Sequence, residues 1–315
     1  MFFLRFFIGN QNYSVVLKLF LHFFVDIEVF IYFILLVNDV FIYLSRIELI
    51  ISQMSKYLKM LSLLFIGFVN QSNAQFGFSH EIGVIAGPVA FQSDYGERYD
   101  FSTNSGNTGY GIGLIHYLNF SYKAECNCYT PETYFNDHFK LRSELSYNKT
   151  QLQHFGKWVD PDRTSLTADQ LRAMKGSTAV TNIGMQLEFF PYSIRDFTAT
   201  IGSWAPFISL GGQFSFYKPT SYSELGPGLG ELLTVTPEKY RNAFDRKGGN
   251  TWSVVSSVGT RYKLTPLSDL MIDLRWQYYF SNWVDGLNPD PNIYKENRAN
   301  DWNVWLNFGY IYYLQ

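Results

Sequence analysis

The sequence predicts an all-β, transmembrane, antiparallel up-and-down barrel of eight strands, and three observations carry that expectation. Segments of about ten residues alternate apolar with polar or small side chains. Aromatic residues make up 19% of the chain, more than the 17% that are charged. The last segment keeps this alternation as far as Leu314, next to the final residue of the sequence. A strand crosses a bilayer in about ten residues, with lipid-facing and lumen-facing positions in turn. Tyr and Trp gather where such a barrel meets the two membrane surfaces, which accounts for 23 Tyr and 7 Trp. A bundle of membrane helices would raise the mean hydropathy well above -0.08. A net charge of -2 leaves no basic footprint for nucleic acid.

Each strand rests on its own period of two. The first two, around 80–90 and 109–120, are glycine-rich, yet Tyr110, Ile112, Leu114 and Leu118 oppose Gly111, Gly113 and Asn119. Over 138–149, Phe139, Leu141, Leu145 and Tyr147 oppose Lys140, Arg142, Glu144, Ser146 and Asn148. Over 179–190, Ile183, Met185, Leu187 and Phe189 oppose Asn182, Gly184, Gln186 and Glu188. Over 204–217, Ile208, Leu210, Phe214 and Phe216 oppose Ser209, Gly211, Gln213 and Ser215. Over 252–264, Trp252, Val254, Val258, Tyr262 and Leu264 oppose Ser253, Ser257, Gly259, Arg261 and Lys263. Over 270–281, Leu270, Ile272, Leu274, Trp276, Tyr278 and Phe280 oppose Met271, Asp273, Arg275, Gln277, Tyr279 and Ser281. Over 302–314, Trp302, Val304, Leu306, Phe308, Tyr310, Tyr312 and Leu314 oppose Asn303, Trp305, Asn307, Gly309, Ile311 and Tyr313. A strand buried against protein on both faces would not carry Asp273 and Arg275 so regularly.

Ahead of the barrel, residues 54–74 read as a signal peptide. Lys56 and Lys59 precede an apolar run from Leu61 to Val69, and Ser72-Asn73-Ala74 places small residues where signal peptidase cuts. Cleavage after Ala74 would leave Gln75 first, and the mature barrel would be 75–315. The signal peptide implies a true start at Met54, so residues 1–53 are expected to be a mis-assigned upstream extension. Their best apolar run, Val29 to Val37, is half of what a spanning helix needs; a membrane-anchored helix there is the rival reading.

With both termini periplasmic, loops 91–106, 149–177, 218–251 and 281–300 fall outside the cell. Turns 121–137, 191–203 and 265–267 then fall inside, of which only Thr265-Pro266-Leu267 has the usual shortness. Two external loops carry helix signals. Thr167-Ala168-Asp169-Gln170 reads as a capping box with a stop at Gly176, and Thr236 reads as an N-cap with Pro237 first in a helix running to Gly248. Cys126 and Cys128 are too close for an unstrained disulfide and too few for zinc; they are read as free or intermolecularly paired thiols, or as stabilising a turn.

An eight-stranded barrel is just wide enough for its own side chains. The inward Lys140, Arg142, Glu144, Glu188, Arg261, Lys263, Asp273 and Arg275 mix both signs and are expected to pair across a packed lumen. An acidic substitution at inward Asn307 is accordingly expected to be milder than one at outward Phe308 or Tyr312. Enzymatic alternatives must use His80, His116, His138 or His154, of which His154 lies at the base of an external loop with Asp160 and Asp162 nearby in sequence. Asp285, Asn288, Asp290 and Asn292 offer oxygen ligands but depart from calcium-loop spacing. Gly226-Pro227-Gly228-Leu229-Gly230 lacks the Lys-Ser/Thr of a phosphate loop. No catalytic, cofactor or metal residue is therefore assigned.

The closing residues Asn307, Phe308, Gly309, Tyr310, Ile311, Tyr312, Tyr313 and Leu314 resemble the signal by which outer-membrane barrels are read by their assembly machinery. Within that signal Asn307, Phe308, Gly309, Tyr312 and Leu314 match its defined positions. The barrel region also resembles small outer-membrane barrels of the Bacteroidota, Flavobacteria especially, of porin-like or secretion-accessory type. Three runs carry that resemblance: Tyr117-Leu-Asn-Phe-Ser121, Arg261-Tyr-Lys-Leu-Thr-Pro-Leu-Ser-Asp-Leu270 and Arg275-Trp-Gln-Tyr-Tyr-Phe-Ser-Asn-Trp283. The resemblance implies fold and location and assigns no reaction. The expected function is a non-enzymatic outer-membrane component, structural or accessory, with structured external loops. The alternatives are a narrow pore for small solutes and a rim hydrolase acting on lipid or peptide. Expected partners are outer-membrane lipid, the barrel-assembly machinery during biogenesis and an outer-membrane protein complex; no cofactor is expected.

Overall fold

A computed structural model describes residues 78–98, 100–122 and 133–314. The expectations for 1–53, for the 54–74 signal peptide, and for Cys126 and Cys128 lie outside the described residues. Eight strands form one closed antiparallel barrel in sequence order: β1 (Phe78–Gln92), β2 (Thr108–Tyr122), β3 (Phe139–Gln153), β4 (Met174–Phe189), β5 (Trp204–Ser223), β6 (Gly249–Thr265), β7 (Ser268–Tyr279) and β8 (Trp302–Leu314). Pairing of β1 with β8, with Ile85 opposite Gly309, closes the sheet and leaves no free edge.

The two faces are chemically inverted relative to a soluble protein. Ile112, Leu210 and Trp252 point outward and are 61%, 63% and 62% exposed, whereas Lys140, Arg142 and Arg261 point inward and are fully buried. Water would not tolerate an apolar wall running right round the molecule, and hydrocarbon is the medium that does. Rings of aromatics bound that wall. At the end where β1 begins and β8 finishes, the terminal side of the barrel, Phe139 packs on Phe189 at 5.1 Å and Trp204 on Tyr262 at 4.9 Å. At the other end, Phe214 meets Trp252 at 5.1 Å, and Trp276 lies 5.9 Å from Tyr278. Trp252 and Tyr262 are ten positions apart on β6, which at roughly 3.4 Å per residue and a tilt near 40° is about 26 Å, the height of an apolar bilayer band.

Several strands outrun the sequence reading, so their connections are shorter than expected. β3 continues to Gln153 and β4 begins at Met174; β5 continues to Ser223 and β6 begins at Gly249. Inter-strand hydrogen bonding continues beyond the apolar wall, where outward residues turn polar and the period of two loses its contrast. β7 ends at Tyr279, so Phe280 and Ser281 belong to the β7–β8 connection. On the terminal side, β6 and β7 are joined by Pro266 and Leu267, while the other two connections hold short helices α1 (Tyr134–His138) and α3 (Ile194–Ala199).

Both loop-helix expectations need correction. Helix α2 is Leu166–Ala173, capped by Ser165, whose Oγ accepts the Ala168 N–H at 3.3 Å, and not by Thr167. It stops before Gly176 because Met174 is already paired with Ser223 in the β4–β5 ladder. Thr236 caps nothing: its hydroxyl accepts the Gly230 N–H at 2.7 Å, and only a single 3₁₀ turn, Glu238–Tyr240, follows. Asn242, at φ +60°, takes the left-handed conformation that ends helical winding there.

Candidate functional site

The lumen is filled in layers. Near the terminal end, Arg261 bonds Glu81 at 2.7 Å and Glu188 at 3.1 Å, lies 3.8 Å from Asp269, and stacks 4.0 Å above Tyr117. Lys140 pairs with Glu81 at 2.5 Å, and Lys263 pairs with Asp269 at 3.2 Å while sitting 3.7 Å from the Tyr313 ring. One layer up, Arg142 reaches Asp273 at 2.9 Å, Glu144 at 2.9 Å and Glu188 at 3.4 Å. Arg275 grips both oxygens of Glu144 at 2.5 and 2.6 Å and stacks on Trp305 at 5.0 Å. Gly111 makes room for that indole, since a Cβ there would stand 2.3 Å from it. Above lies a neutral amide and hydroxyl layer, in which Gln277 donates to Asn182 at 3.0 Å and to Ser253 at 2.9 Å.

All eight lumen residues named from sequence are therefore brought together. Two were missed: Glu81 and Asp269, both fully buried. Each shares the inward parity of its strand, Glu81 with Gly83 and Asp269 with Met271, but each lies at a strand end where the alternation was read least well. With them the network holds five acids and five bases. That balance matters because an unpaired ion in a low-dielectric interior costs several kcal/mol.

Both ends of the lumen are covered. On the terminal side, Ile194 and Phe197 of α3 pack with Phe190 and Phe207 into a floor. On the far side, Tyr95, Leu229, Val235, Tyr240, Val284 and Leu287 come from three different connections and form a lid.

Beside the lid, Arg98 forms a lock between the β1–β2 and β7–β8 connections. It bonds Asp94 and Asp301 at 2.7 Å each, and Asn282 at 2.8 Å. Asn297 donates to Asp94 at 2.8 Å, while Asp301 accepts the Val284 N–H at 2.8 Å. Asp285 accepts the Asp94 N–H at 2.6 Å and the Leu287 N–H at 2.8 Å. Two buried carboxylates, Asp94 and Asp301, thus share one guanidinium, and a third, Asp285, is held against them by backbone N–H groups. Burial raises the pKa of each: Asp94 above the usual carboxylate range despite Arg98, Asp301 to about 6, and Asp285 well above that range with the Asp301 and Asp94 charges adding to the effect. No local pattern announced this cluster, because Arg98 and Asp301 are 203 residues apart.

The enzymatic and metal readings find no constellation at the expected residues. His154 lies between Tyr95 and Tyr240, with ring centroids at 5.3 and 5.4 Å, and burial followed by the Lys239 charge lowers its pKa to about 3. Asp160 and Asp162 are exposed, and Asp160 is engaged by the Asp162 N–H. His80 and His116 stack on the outer wall, and His138 bonds the Phe190 carbonyl at 2.7 Å. Asp285 is buried in the lock while Asp290 is exposed and binds the Asn292 N–H, so the four oxygen donors named from sequence do not converge. Among the described residues no group of three His, Cys, Asp or Glu is placed to hold a metal. On β8, Phe308, Tyr312 and Leu314 face outward; Asn307 faces inward and donates to Asp273 at 2.6 Å, and Gly309 lies against Met271 and Ile85.

A closed eight-stranded transmembrane barrel, charge-paired inside and apolar outside, is the class this architecture defines. No protein-family model matches the sequence, and no curated protein matches it. Solved structures similar to it include Ail, the attachment invasion locus protein of Yersinia pestis, at 11% identity, covering 76% of this chain and all of that one with a TM-score of 0.34. Neisserial surface protein A is similar at 13% identity over 74% of this chain and 96% of its own, with a TM-score of 0.35. A major outer membrane protein from Thermus thermophilus is similar at 13% identity over 75% and 99%, with a TM-score of 0.39.

Proposed function

We propose that this protein is a non-enzymatic outer-membrane barrel, closed to solutes, whose rigid loop-bearing end serves as a structural or accessory surface for a partner. The lumen carries this reading. A solute would have to displace Arg142, Arg275 and Trp305, all fully buried, and break a neutral ion-pair network to do so. The lock around Arg98 supports the second half, because loops held by buried ion pairs present a preformed surface at less entropic cost than mobile ones. Placement in the outer membrane draws support from the apolar wall, the signal-like segment 54–74 and the terminal Asn307, Phe308, Gly309, Tyr312 and Leu314 pattern, which would be read by the barrel-assembly machinery. The experiment is a pair: purified barrel in a planar bilayer, and mild-detergent purification from native outer membranes. The reading expects no steady conductance and a stoichiometric companion protein. Reproducible single-channel steps from the unmodified barrel would replace it with the narrow-pore reading.

A further inference from the structure

β3, β4 and β5 run beyond the aromatic ring at the loop-bearing end, and their outer face changes chemistry in successive rows. In one row Tyr147, Thr181 and Phe216 lie side by side, the two aromatics 44% and 50% exposed. The next row is Lys149, Ala179 and Lys218. The row beyond is Gln151, Ser177 and Thr220, with the Ser177 and Thr220 hydroxyls 2.9 Å apart. Both lysines are exposed, and neither is ion-paired among the described residues. Further along this wall, Glu224 is committed to Lys175.

Neighbouring strands lie about 4.8 Å apart, so the two lysine Cα atoms stand roughly 10 Å apart with only the Ala179 methyl between them. Two ammonium groups on four-carbon stems can converge over that methyl, with hydroxyl donors just beyond. The row below is apolar enough to lie against acyl chains. Cations placed immediately past an interfacial aromatic ring are where lipid headgroups sit.

We propose that Lys149 and Lys218, assisted by Ser177 and Thr220, bind the phosphate of a phosphorylated lipid in the leaflet on the loop side. Its acyl chains lie along Tyr147, Thr181 and Phe216. The inference is independent of whether the lumen conducts and of any protein partner.

The test uses the folded barrel in phosphatidylcholine nanodiscs doped with a bisphosphorylated glucosamine-disaccharide lipid, read by native mass spectrometry of the barrel after gentle release. Wild type should retain that lipid. Lys149→Ala/Lys218→Ala should weaken retention about thirtyfold and each single change about fivefold, the scale of one surface lysine against an anionic headgroup. Lys149→Arg/Lys218→Arg should restore retention, and Lys175→Ala should leave it unchanged. The chemically dephosphorylated lipid should bind wild type and double variant alike. Folding of each variant is checked by heat-modifiable gel mobility, and Lys149→Gln/Lys218→Gln replaces the alanine pair if that pair misfolds. Undiminished retention by the double variant overturns the proposal. Full displacement by millimolar inorganic phosphate makes this a free-anion site and overturns the lipid assignment. An equal loss in Lys175→Ala reduces the effect to diffuse charge and overturns it too.

Discussion

Replacing Arg261 with Met attacks the lumen network at a cation that touches three carboxylates, Glu81 at 2.7 Å, Glu188 at 3.1 Å and Asp269 at 3.8 Å. Met preserves much of the stem over Tyr117 and removes the charge. Glu81 keeps Lys140, Asp269 keeps Lys263, and Glu188 keeps Arg142 at 3.4 Å and the Tyr117 hydroxyl at 3.0 Å. No carboxylate is stranded outright, yet the lumen changes from neutral to one excess buried negative charge. Breaking a buried pair in this way costs about 3–5 kcal/mol, and the surviving partners point to the lower end. Adding Glu188→Gln restores neutrality, so Arg261→Met/Glu188→Gln should be less destabilised than the sum of the single changes by about 2 kcal/mol. Reversible urea unfolding in lipid vesicles, followed by tryptophan emission and gel mobility for all four proteins, measures both quantities. An Arg261→Met barrel within about 1 kcal/mol of wild type, or strict additivity in the cycle, would falsify the account of a charge-balanced dry lumen.

Four further outcomes follow from the same geometry. Gly111→Ala drives a methyl into the Trp305 indole, 2.3 Å away, and should lower stability by about 1–3 kcal/mol in thermal melts; an unchanged melting temperature would show that the indole is not confined. Phe308→Asp or Tyr312→Asp, each facing lipid, should cost at most about 2–4 kcal/mol according to depth, measured by the same unfolding assay. Asn307→Asp, expected from sequence to be milder because it faces the lumen, should instead be the harsher change: the Asn307 amide donates to Asp273 at 2.6 Å, and an acid there sets two buried carboxylates together. The mouth lock should tighten in mild acid. Asp94, Asp285 and Asp301 all have folded pKa values above their unfolded ones, with Asp301 at about 6, so the closed state binds more protons between about pH 4 and 6. The stability that Asp301 contributes is complete below about pH 4 and is lost as pH rises through about 6, and Asp94 and Asp285 act in the same direction. Amide exchange at Val284, Asp285 and Leu287, corrected for intrinsic rate, should be more protected at about pH 5 than at about pH 8, and the opposite trend refutes the assignment.

The number of strands, their order and the face taken by each side chain were legible in the sequence because each depends on local alternation. One residue of shift would move Lys140, Arg142 and Glu144 from lumen to lipid, so the pattern along β3 by itself decides where they point. The reading weakened at strand ends, where Glu81 and Asp269 sit, and in the connections, where strand pairing overrode the capping signals at Thr167 and Thr236. Tertiary structure alone decided which ions meet. Glu144 and Arg275 are 131 residues apart in sequence, and they face each other only because closure of β1 on β8 sets the stagger of every strand between. The same stagger brings Lys149 and Lys218 into one row across Ala179, and the folding of three connections over the mouth joins Arg98 to Asp301. A period of two specifies a direction perpendicular to the sheet at every residue; heights and distances around a barrel are properties of the closed ring.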